Sequence, residues 1–222
     1  EPNVITYSAT ISACEKGCQW EKALQLLDRM KASGIEPNVI TYSATISACE
    51  KGGQWEKALE LFEDMQARGV EPNVITYSAT ISACELSGEV LRAMGLFATA
   101  VSRDVFLTLW EGPMLDLHDL SSPVARTAIR LALDDMLRRP DDRQFHDAET
   151  QGDFRIITGR GKHSEGGEAI LRPAVLAMFQ DEFAGQIECR EDPQNLGRLV
   201  LPAASLLAWI RRSRNGDNVP DR

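Results

Sequence analysis

Two short segments in the C-terminal half contain residues that could act on a phosphodiester. In Met114–His118 (MLDLH), Asp116 and His118 are two residues apart, so a β-strand would project both from one face. Leu115 and Leu117 would then face the core. A carboxylate beside an imidazole orients the ring and stabilises its cation, which suits a general acid or base near neutral pH. Asp116 and His118 are therefore the candidate catalytic residues, although a purely structural hydrogen bond would give the same pattern.

The second segment is glycine-rich and basic, and it follows the predicted strand Phe154–Thr158. Its glycines would let backbone N–H groups approach a phosphate, while the basic side chains add positive charge. If the two strands are adjacent and parallel, this segment lies beside His118. Phosphate binding without cleavage is an equally good interpretation, and the histidine of the segment could simply be exposed. The candidate phosphate-binding residues are Gly159, Arg160, Gly161, Lys162 and His163.

Composition restricts the other kinds of site. The 222-residue chain has a net charge of −9, which disfavours strong phosphate binding over the whole surface, because that affinity scales with Lys and Arg contacts. No Cys/His spacing indicates a structural zinc site, and the five cysteines suggest free thiols. One carboxylate is too few for a two-metal site, so dependence on a divalent metal such as Mg²⁺ is left open. We expect no small-molecule cofactor. We also expect no membrane partner, since no apolar run approaches the ~20 residues of a membrane-spanning helix.

Strands alternating with helices must position these residues, which predicts an α/β two-layer sandwich for the C-terminal half. The pattern places strands at Met114–His118, Phe154–Thr158, Gln186–Arg190 and Arg198–Leu201. It places helices after Ser122, with Pro123 at the first position, and at Ala169–Phe183 and Ala203–Arg212.

The N-terminal half is organised differently. The stretch EPNVITYSATISACE begins at Glu1, Glu36 and Glu71, a period of 35 residues. A fixed period of this size predicts one supersecondary unit stacked on copies of itself. Each unit reads as two helices, the first capped by an Asn such as Asn3 and stopped near Gly17. We therefore predict an α-helical solenoid with units 1–35, 36–70 and a degenerate 71–105.

The unit NVITYSATISACEKGGQWEKALELFEDMQARGVEP resembles a pentatricopeptide repeat. The resemblance implies binding of single-stranded RNA, one base per repeat, read by the fifth and the last residue of the motif. A small hydroxyl with Asn resembles the adenine-preferring combination, and an aliphatic second residue packs against base faces. The serines could instead be plain exposed helix residues. The implied base-binding residues are Ile5, Ser8, Asn38, Ile40, Ser43, Asn73, Ile75 and Ser78, the last one paired with Thr108.

The order LDLH, IITGRGKHS and ILRPAV resembles a Smr (small MutS-related) domain over roughly residues 113–214. With repeats over 1–108 and a tail at 215–222, the chain resembles a fragment of a PPR-SMR protein. That resemblance implies RNA metabolism in a plastid or mitochondrion. Some Smr domains cleave DNA or RNA and others cleave neither.

Three functions follow as hypotheses. The first is selective binding of single-stranded RNA with a Smr-type endonuclease acting on or beside it, DNA being a possible substrate for the C-terminal half. The second is a non-catalytic RNA processing or stability factor. The third is a helical scaffold for other proteins, which the acidic composition favours.

Overall fold

Each identical stretch forms the first helix of a helical hairpin. The structure is a computed structural model that describes residues 2–106, 109–111, 113–138, 152–159 and 169–215. The chain divides into two units, Glu1–Phe106 and Leu107–Arg222. None of the described helices has the length and apolar content needed to cross a bilayer. The helices of the first unit are α1 (Val4–Lys16), α2 (Trp20–Ala32), α3 (Val39–Lys51), α4 (Trp55–Ala67), α5 (Val74–Leu86) and α6 (Val90–Ser102).

Capping residues set the bounds of these helices. The side chain of Asn3 accepts a hydrogen bond from the Thr6 backbone N–H, and the same cap recurs in α3 and α5. The turn after each first helix needs one residue with positive φ. In the second hairpin this residue is Gly53 (φ 67°), whereas in the first hairpin it is Cys18 (φ 52°). The left-handed residue is therefore Cys18 and not the preceding Gly17, whose φ is −85°. A non-glycine residue is strained there.

Successive first helices pack side by side, α1 against α3 and α3 against α5, while α2 and α4 cover α3 and α5. This arrangement is the helical repeat fold that the period predicts. The five cysteines are free thiols, with Cys49 and Cys84 buried and Cys14 half-buried. Identical residues meet different surroundings along the stack. The stripe Thr6, Ala9, Thr10 and Ala13 of α1 is exposed, whereas in α3 the counterparts Thr41, Thr45 and Ala48 are fully buried and Ala44 is half-buried.

One tight contact joins the first two hairpins. The indole of Trp20 in α2 lies over Gly52 at the end of α3, and a Cβ on Gly52 would come within 2.3 Å of the ring. The glycine is therefore required by close approach rather than by its φ of −83°, which any residue adopts.

A polar cluster around Asp64 ties α2, α3 and α4 together. Its Oδ2 accepts hydrogen bonds from the Tyr42 hydroxyl at 2.5 Å and Lys31 Nζ at 2.7 Å, and its Oδ1 accepts from Arg68 Nε at 3.0 Å. Desolvation acts to raise the pKa of Asp64, but the bonds from Lys31, Tyr42 and Arg68 outweigh it and hold that pKa well below its ordinary value. Burial and the Asp64 carboxylate together raise the pKa of Tyr42.

The next copy of this tyrosine lacks such a partner. Tyr77 is fully buried and packs edge-on against Phe62, with ring centroids 5.0 Å apart. Within the described residues its hydroxyl makes no hydrogen bond. One period after Asp64 the chain has Thr99, which has no carboxylate to offer.

The second unit contains a small mixed sheet together with helices. In its described part the strands are β1 (Trp110–Glu111), β2 (Met114–Asp116), β3 (Phe154–Ile157), β4 (Arg190–Glu191) and β5 (Arg198–Leu201), in the order β1-β2-β3-β5-β4. Only β2 and β3 are parallel; the other neighbouring pairs are antiparallel. The helices are α7 (Ser122–Arg138), α8 (Leu171–Glu182) and α9 (Ala203–Arg214), and α7 packs against both others.

Several predicted elements of this unit are confirmed and others are wrong. Strand β5 has the predicted bounds, and β3 ends one residue before the predicted Thr158. The strand predicted at Gln186–Arg190 is absent, because that stretch forms turns, and β4 begins at its last residue. Strand β1, with only two residues, was not predicted.

Candidate functional site

An evenly spaced row of large apolar side chains is exposed on the first unit. Ile5, Ile40 and Ile75 occupy the second position of α1, α3 and α5 and are 74%, 58% and 57% exposed. Neighbouring copies on packed helices lie roughly 8–10 Å apart. Exposed apolar groups repeated at one position of stacked units suit contact with a ligand that also repeats, such as a chain of bases. We call these three residues the isoleucine row.

The serines of the predicted readers are buried between successive first helices. Ser8 is 7% and Ser43 is 5% exposed, so their interpretation as plain exposed helix serines is wrong. Ser8 Oγ lies 3.0 Å from Thr41 Oγ1, and Ser43 Oγ lies 2.8 Å from Thr76 Oγ1. Ser78, in the third copy, is half-buried. Its predicted partner, at position 108, lies outside the described residues.

The asparagines of the predicted readers serve as helix caps. Asn38 Oδ1 accepts hydrogen bonds from the Thr41 backbone N–H at 3.0 Å and from Thr41 Oγ1 at 2.9 Å. Asn73 accepts the same two bonds from Thr76, both at 3.0 Å. Asn38 is half-buried and Asn73 is exposed. Each threonine therefore touches both residues of one predicted reading pair, Ser8 with Asn38 or Ser43 with Asn73.

In the second unit, Asp116 and His118 contact each other as predicted, although not from within one strand. Strand β2 ends at Asp116, and His118 lies in the following turn. Asp116 Oδ1 is 2.5 Å from His118 Nδ1 and accepts the His118 backbone N–H at 3.1 Å. The Asp119 carboxylate lies 3.1 Å from the other ring nitrogen, Nε2. Leu117, which lies between Asp116 and His118 in the sequence, is fully buried.

The glycine-rich segment begins beside this histidine. Because β2 and β3 are parallel, with Asp116 opposite Ile157, the chain leaves both strands at the same edge of the sheet. Gly159 has φ +72°, and a Cβ there would lie 3.2 Å from His118 Cβ. The predicted proximity of the two segments is confirmed for Gly159. Arg160, Gly161, Lys162 and His163 lie outside the described residues.

The surroundings of His118 favour its cation. The hydrogen bond with Asp116 raises the pKa of His118, and the charges of Asp116 and Asp119 add to the effect, while partial desolvation opposes it. The side chain of His118 is 48% exposed, so the ring can meet a ligand from solvent. Nowhere in the described ranges do three or more His, Cys, Asp or Glu side chains converge as metal ligands. What this cluster offers is a partly exposed, cation-forming imidazole with Nδ1 held by Asp116 and Nε2 facing the exposed carboxylate of Asp119.

Comparison with known proteins bears on the first unit. The model of the pentatricopeptide repeat domain family matches residues 1–54 and 25–86, which together contain α1 to α5. The matched residues make up less than half of the chain, and these helices resemble pentatricopeptide repeats. No curated protein matches the chain.

Two solved structures of the pentatricopeptide repeat protein PPR10 align with the whole chain. The structure from maize is 20% identical, with a TM-score of 0.49, and the chain covers 26% of it. The complex of PPR10 with an 18-nt RNA element is 17% identical, with a TM-score of 0.47, and the chain covers 29% of it. The chain thus spans less than a third of the length of either structure.

In the first unit, Thr41 and Thr76 were missed as residues that join one hairpin to the next. A signal was available, because each follows an asparagine by three residues at the start of a helix, the spacing of a reciprocal cap. Both junctions show that cap, in which the threonine oxygen also faces the asparagine backbone N–H, at 3.4 Å for Asn38 and 3.3 Å for Asn73. The burial of the serines was missed because it arises from the neighbouring repeat.

Proposed function

We propose that the pentatricopeptide repeats bind single-stranded RNA across the isoleucine row. The observation that carries this proposal is that three isoleucines at one repeat position are all more than half exposed. Bases would pack against Ile5, Ile40 and Ile75, and the Ser–Asn pairs would meet base edges. Asparagine next to a small hydroxyl supports a preference for adenine at the two complete pairs.

Substitution within the row tests this proposal. Ile40→Ser should leave the fold intact, because the side chain is 58% exposed, and should weaken RNA binding. One stacked base contributes roughly 1–3 kcal/mol, which corresponds to a five- to 150-fold loss of affinity. Leu91→Ser is the matched control, since Leu91 is 84% exposed on the second helix of its hairpin. Fluorescence anisotropy with labelled single-stranded RNA at low salt measures both variants.

The outcomes separate the RNA-binding hypotheses from the scaffold hypothesis. Equal effects of the two substitutions would exclude the isoleucine row as the contact. Failure of the native chain to bind any RNA, even at low salt, would exclude RNA binding by this chain and favour a protein-binding scaffold. Function in plastid or mitochondrial RNA metabolism is part of the proposal, and imaging of the tagged full-length protein in plant cells would test it.

We further propose that the second unit is a Smr-type domain that contacts a phosphodiester at Asp116, His118 and Gly159. The observation that favours this function is the His118 imidazole, which contacts Asp116 and lies beside Gly159 at one edge of the sheet. With Nδ1 held by Asp116, Nε2 is the nitrogen that can donate a proton to a phosphate oxygen or to a leaving oxygen, after Asp119 swings away. The basic residues Arg160 and Lys162 would supply charge to the same phosphate.

Cleavage assays distinguish a nuclease from a non-catalytic factor. Single-stranded RNA, duplex RNA and DNA are incubated with the protein in EDTA, Mg²⁺ or Mn²⁺, so that the metal dependence left open by the sequence is tested directly. Cleavage that disappears in His118→Ala, with RNA binding retained, supports an endonuclease. The absence of cleavage under every condition would remove the enzymatic function and leave the non-catalytic RNA-binding factor.

A further inference from the structure

The buried threonines between repeats connect the two residues of each reading pair. Thr41 Oγ1 contacts Ser8 Oγ on one side and Asn38 Oδ1 on the other, and Thr76 does the same for Ser43 and Asn73. Both threonines are fully buried. We propose that Thr41 and Thr76 are positioning residues that fix which partner of each pair donates and which accepts, so that each junction separates amino bases from keto bases. This inference rests on the proposed RNA binding.

Counting protons gives the direction of each bond. Asn38 must turn its oxygen to the cap, because a backbone N–H of Thr41 points at it from 3.0 Å and an amide nitrogen could not accept that bond. The same oxygen cannot donate, so the 2.9 Å bond uses the only hydroxyl proton of Thr41. Thr41 must therefore accept at its other contact, and Ser8 donates its own proton across the 3.0 Å bond.

The direction of the bonds determines what each pair can offer a ligand. Ser8 has spent its proton and has only lone pairs left, so it can accept but not donate. Asn38 Oδ1 already accepts two bonds, so the free end of this side chain is the Nδ2 amino group, which only donates. The pair formed by Ser43 and Asn73 has the same polarity, because Thr76 repeats every contact.

Base edges fall into two classes under this polarity. On the Watson–Crick edge, adenine and cytosine place an amino donor beside a ring-nitrogen acceptor. Guanine and uracil place a carbonyl acceptor beside a ring N–H donor, which is the reverse order. A pair with one fixed acceptor and one fixed donor fits one class and opposes the other. The proposed preference for adenine places the Ser8 acceptor at the exocyclic amino group and the Asn38 donor at the ring nitrogen, and cytosine then falls into the same favoured class.

The experiment removes the threonine hydroxyls at both junctions while keeping the half of each cap that the asparagine side chain provides. The Thr41→Val/Thr76→Val variant retains the backbone N–H groups that Asn38 and Asn73 cap, but valine can neither donate a hydrogen bond to the asparagine nor accept one from the serine. Thr41→Ser/Thr76→Ser retains the hydroxyls and is the matched rescue. Affinities for oligo(A), oligo(C), oligo(G) and oligo(U) are measured for the native chain and both variants, with circular dichroism to check helix content and side-chain amide NMR of Asn38 and Asn73.

The native chain should prefer oligo(A) and oligo(C) over oligo(G) and oligo(U). The valine variant should lose about two- to tenfold of that ratio at each junction, the range of one hydrogen bond, and the serine variant should keep it. Loss of affinity for all four RNAs alike, or an unchanged ratio in the valine variant, would overturn the inference and leave RNA binding intact. If the valine variant unfolds, the serine variant decides. Unshifted side-chain amide resonances of Asn38 and Asn73 and an unchanged ratio of affinities in the serine variant support the inference, whereas a lost ratio overturns it. Absence of binding by the native chain would overturn the proposed function and this inference together.

Discussion

Removing one hydroxyl from two tyrosines of identical local sequence should have opposite consequences. Tyr42 and Tyr77 occupy the same position of α3 and α5, and both are fully buried. The hydroxyl of Tyr42 donates to the Asp64 carboxylate at 2.5 Å, whereas that of Tyr77 has no partner within the described residues. The substitutions Tyr42→Phe and Tyr77→Phe are therefore each other's control.

The expected magnitudes follow from these partners. A hydrogen bond to a charged group contributes about 1.5–3 kcal/mol, and the lower value applies here, because the Asp64 side chain is 34% exposed and keeps Lys31 and Arg68. Tyr42→Phe should thus destabilise the unit by about 1.5 kcal/mol. Tyr77→Phe removes a buried hydroxyl that gains nothing, so its effect should lie between zero and about 1 kcal/mol of stabilisation.

Urea unfolding monitored by circular dichroism measures both effects as midpoint changes at constant slope, and hydrogen exchange of α3 and α5 amides assigns them to individual repeats. The pKa of Asp64 is lowered in the folded state, so its contribution is present above the unfolded pKa of about 3.9 and is lost as pH falls below it. The penalty of Tyr42→Phe should shrink over that same range. Equal shifts for the two phenylalanine variants at neutral pH would refute the reasoning.

Three further predictions concern single sites. Cys18→Gly should raise the free energy of unfolding by about 1 kcal/mol, because Cys18 has φ +52°, where a side chain is strained. Urea unfolding measures this change, and an unchanged midpoint would contradict the backbone strain at Cys18. Gly52→Ala should lower the free energy of unfolding by about 1–3 kcal/mol, because the added methyl group would overpack against the Trp20 indole. Gly17→Ala should not have this cost, because the atom nearest to a Cβ on Gly17 is 3.4 Å away. The pKa of His118 should lie above 6.5 in an NMR titration and fall in Asp116→Asn, since the hydrogen bond to Asp116 is the main cause of its increase. The stability that this pair contributes is present below pH 6.5 and is lost as pH rises through the folded pKa, and an unchanged pKa in Asp116→Asn would contradict that cause.

The local features of the repeats could be predicted because they depend on nearby residues. Asn caps, helical periodicity and a fixed period place α1 to α5 within a residue or two. The burial of Ser8 could not be predicted, because the residue that covers it, Thr41, belongs to the next copy and is 33 positions away. The isoleucine row was singled out from the sequence only because the resemblance assigned it a contact with bases, and its exposure is a finding of the structure.

In the second unit, the residues whose positions follow from strand alternation were predictable, and those of the turn after the strand were not. Alternation placed Leu115 and Leu117 in the core and Asp116 beside His118, all of which the structure confirms. The turn at His118 was missed, because the Asp116 carboxylate itself accepts the His118 backbone N–H and ends the strand. Strand β4 was misplaced because two residues are too few to show alternation.

The stripe Thr6, Ala9, Thr10 and Ala13 has a consequence for building with this chain. The stripe repeats residue types of α3, where Thr41, Thr45 and Ala48 are fully buried against the preceding hairpin, so α1 has the surface that such a contact uses. Threonine and alanine are small enough to allow close helix contact. A hairpin of the α1–α2 sequence could therefore be placed before α1, and a repeat array of chosen length could be built from one sequence.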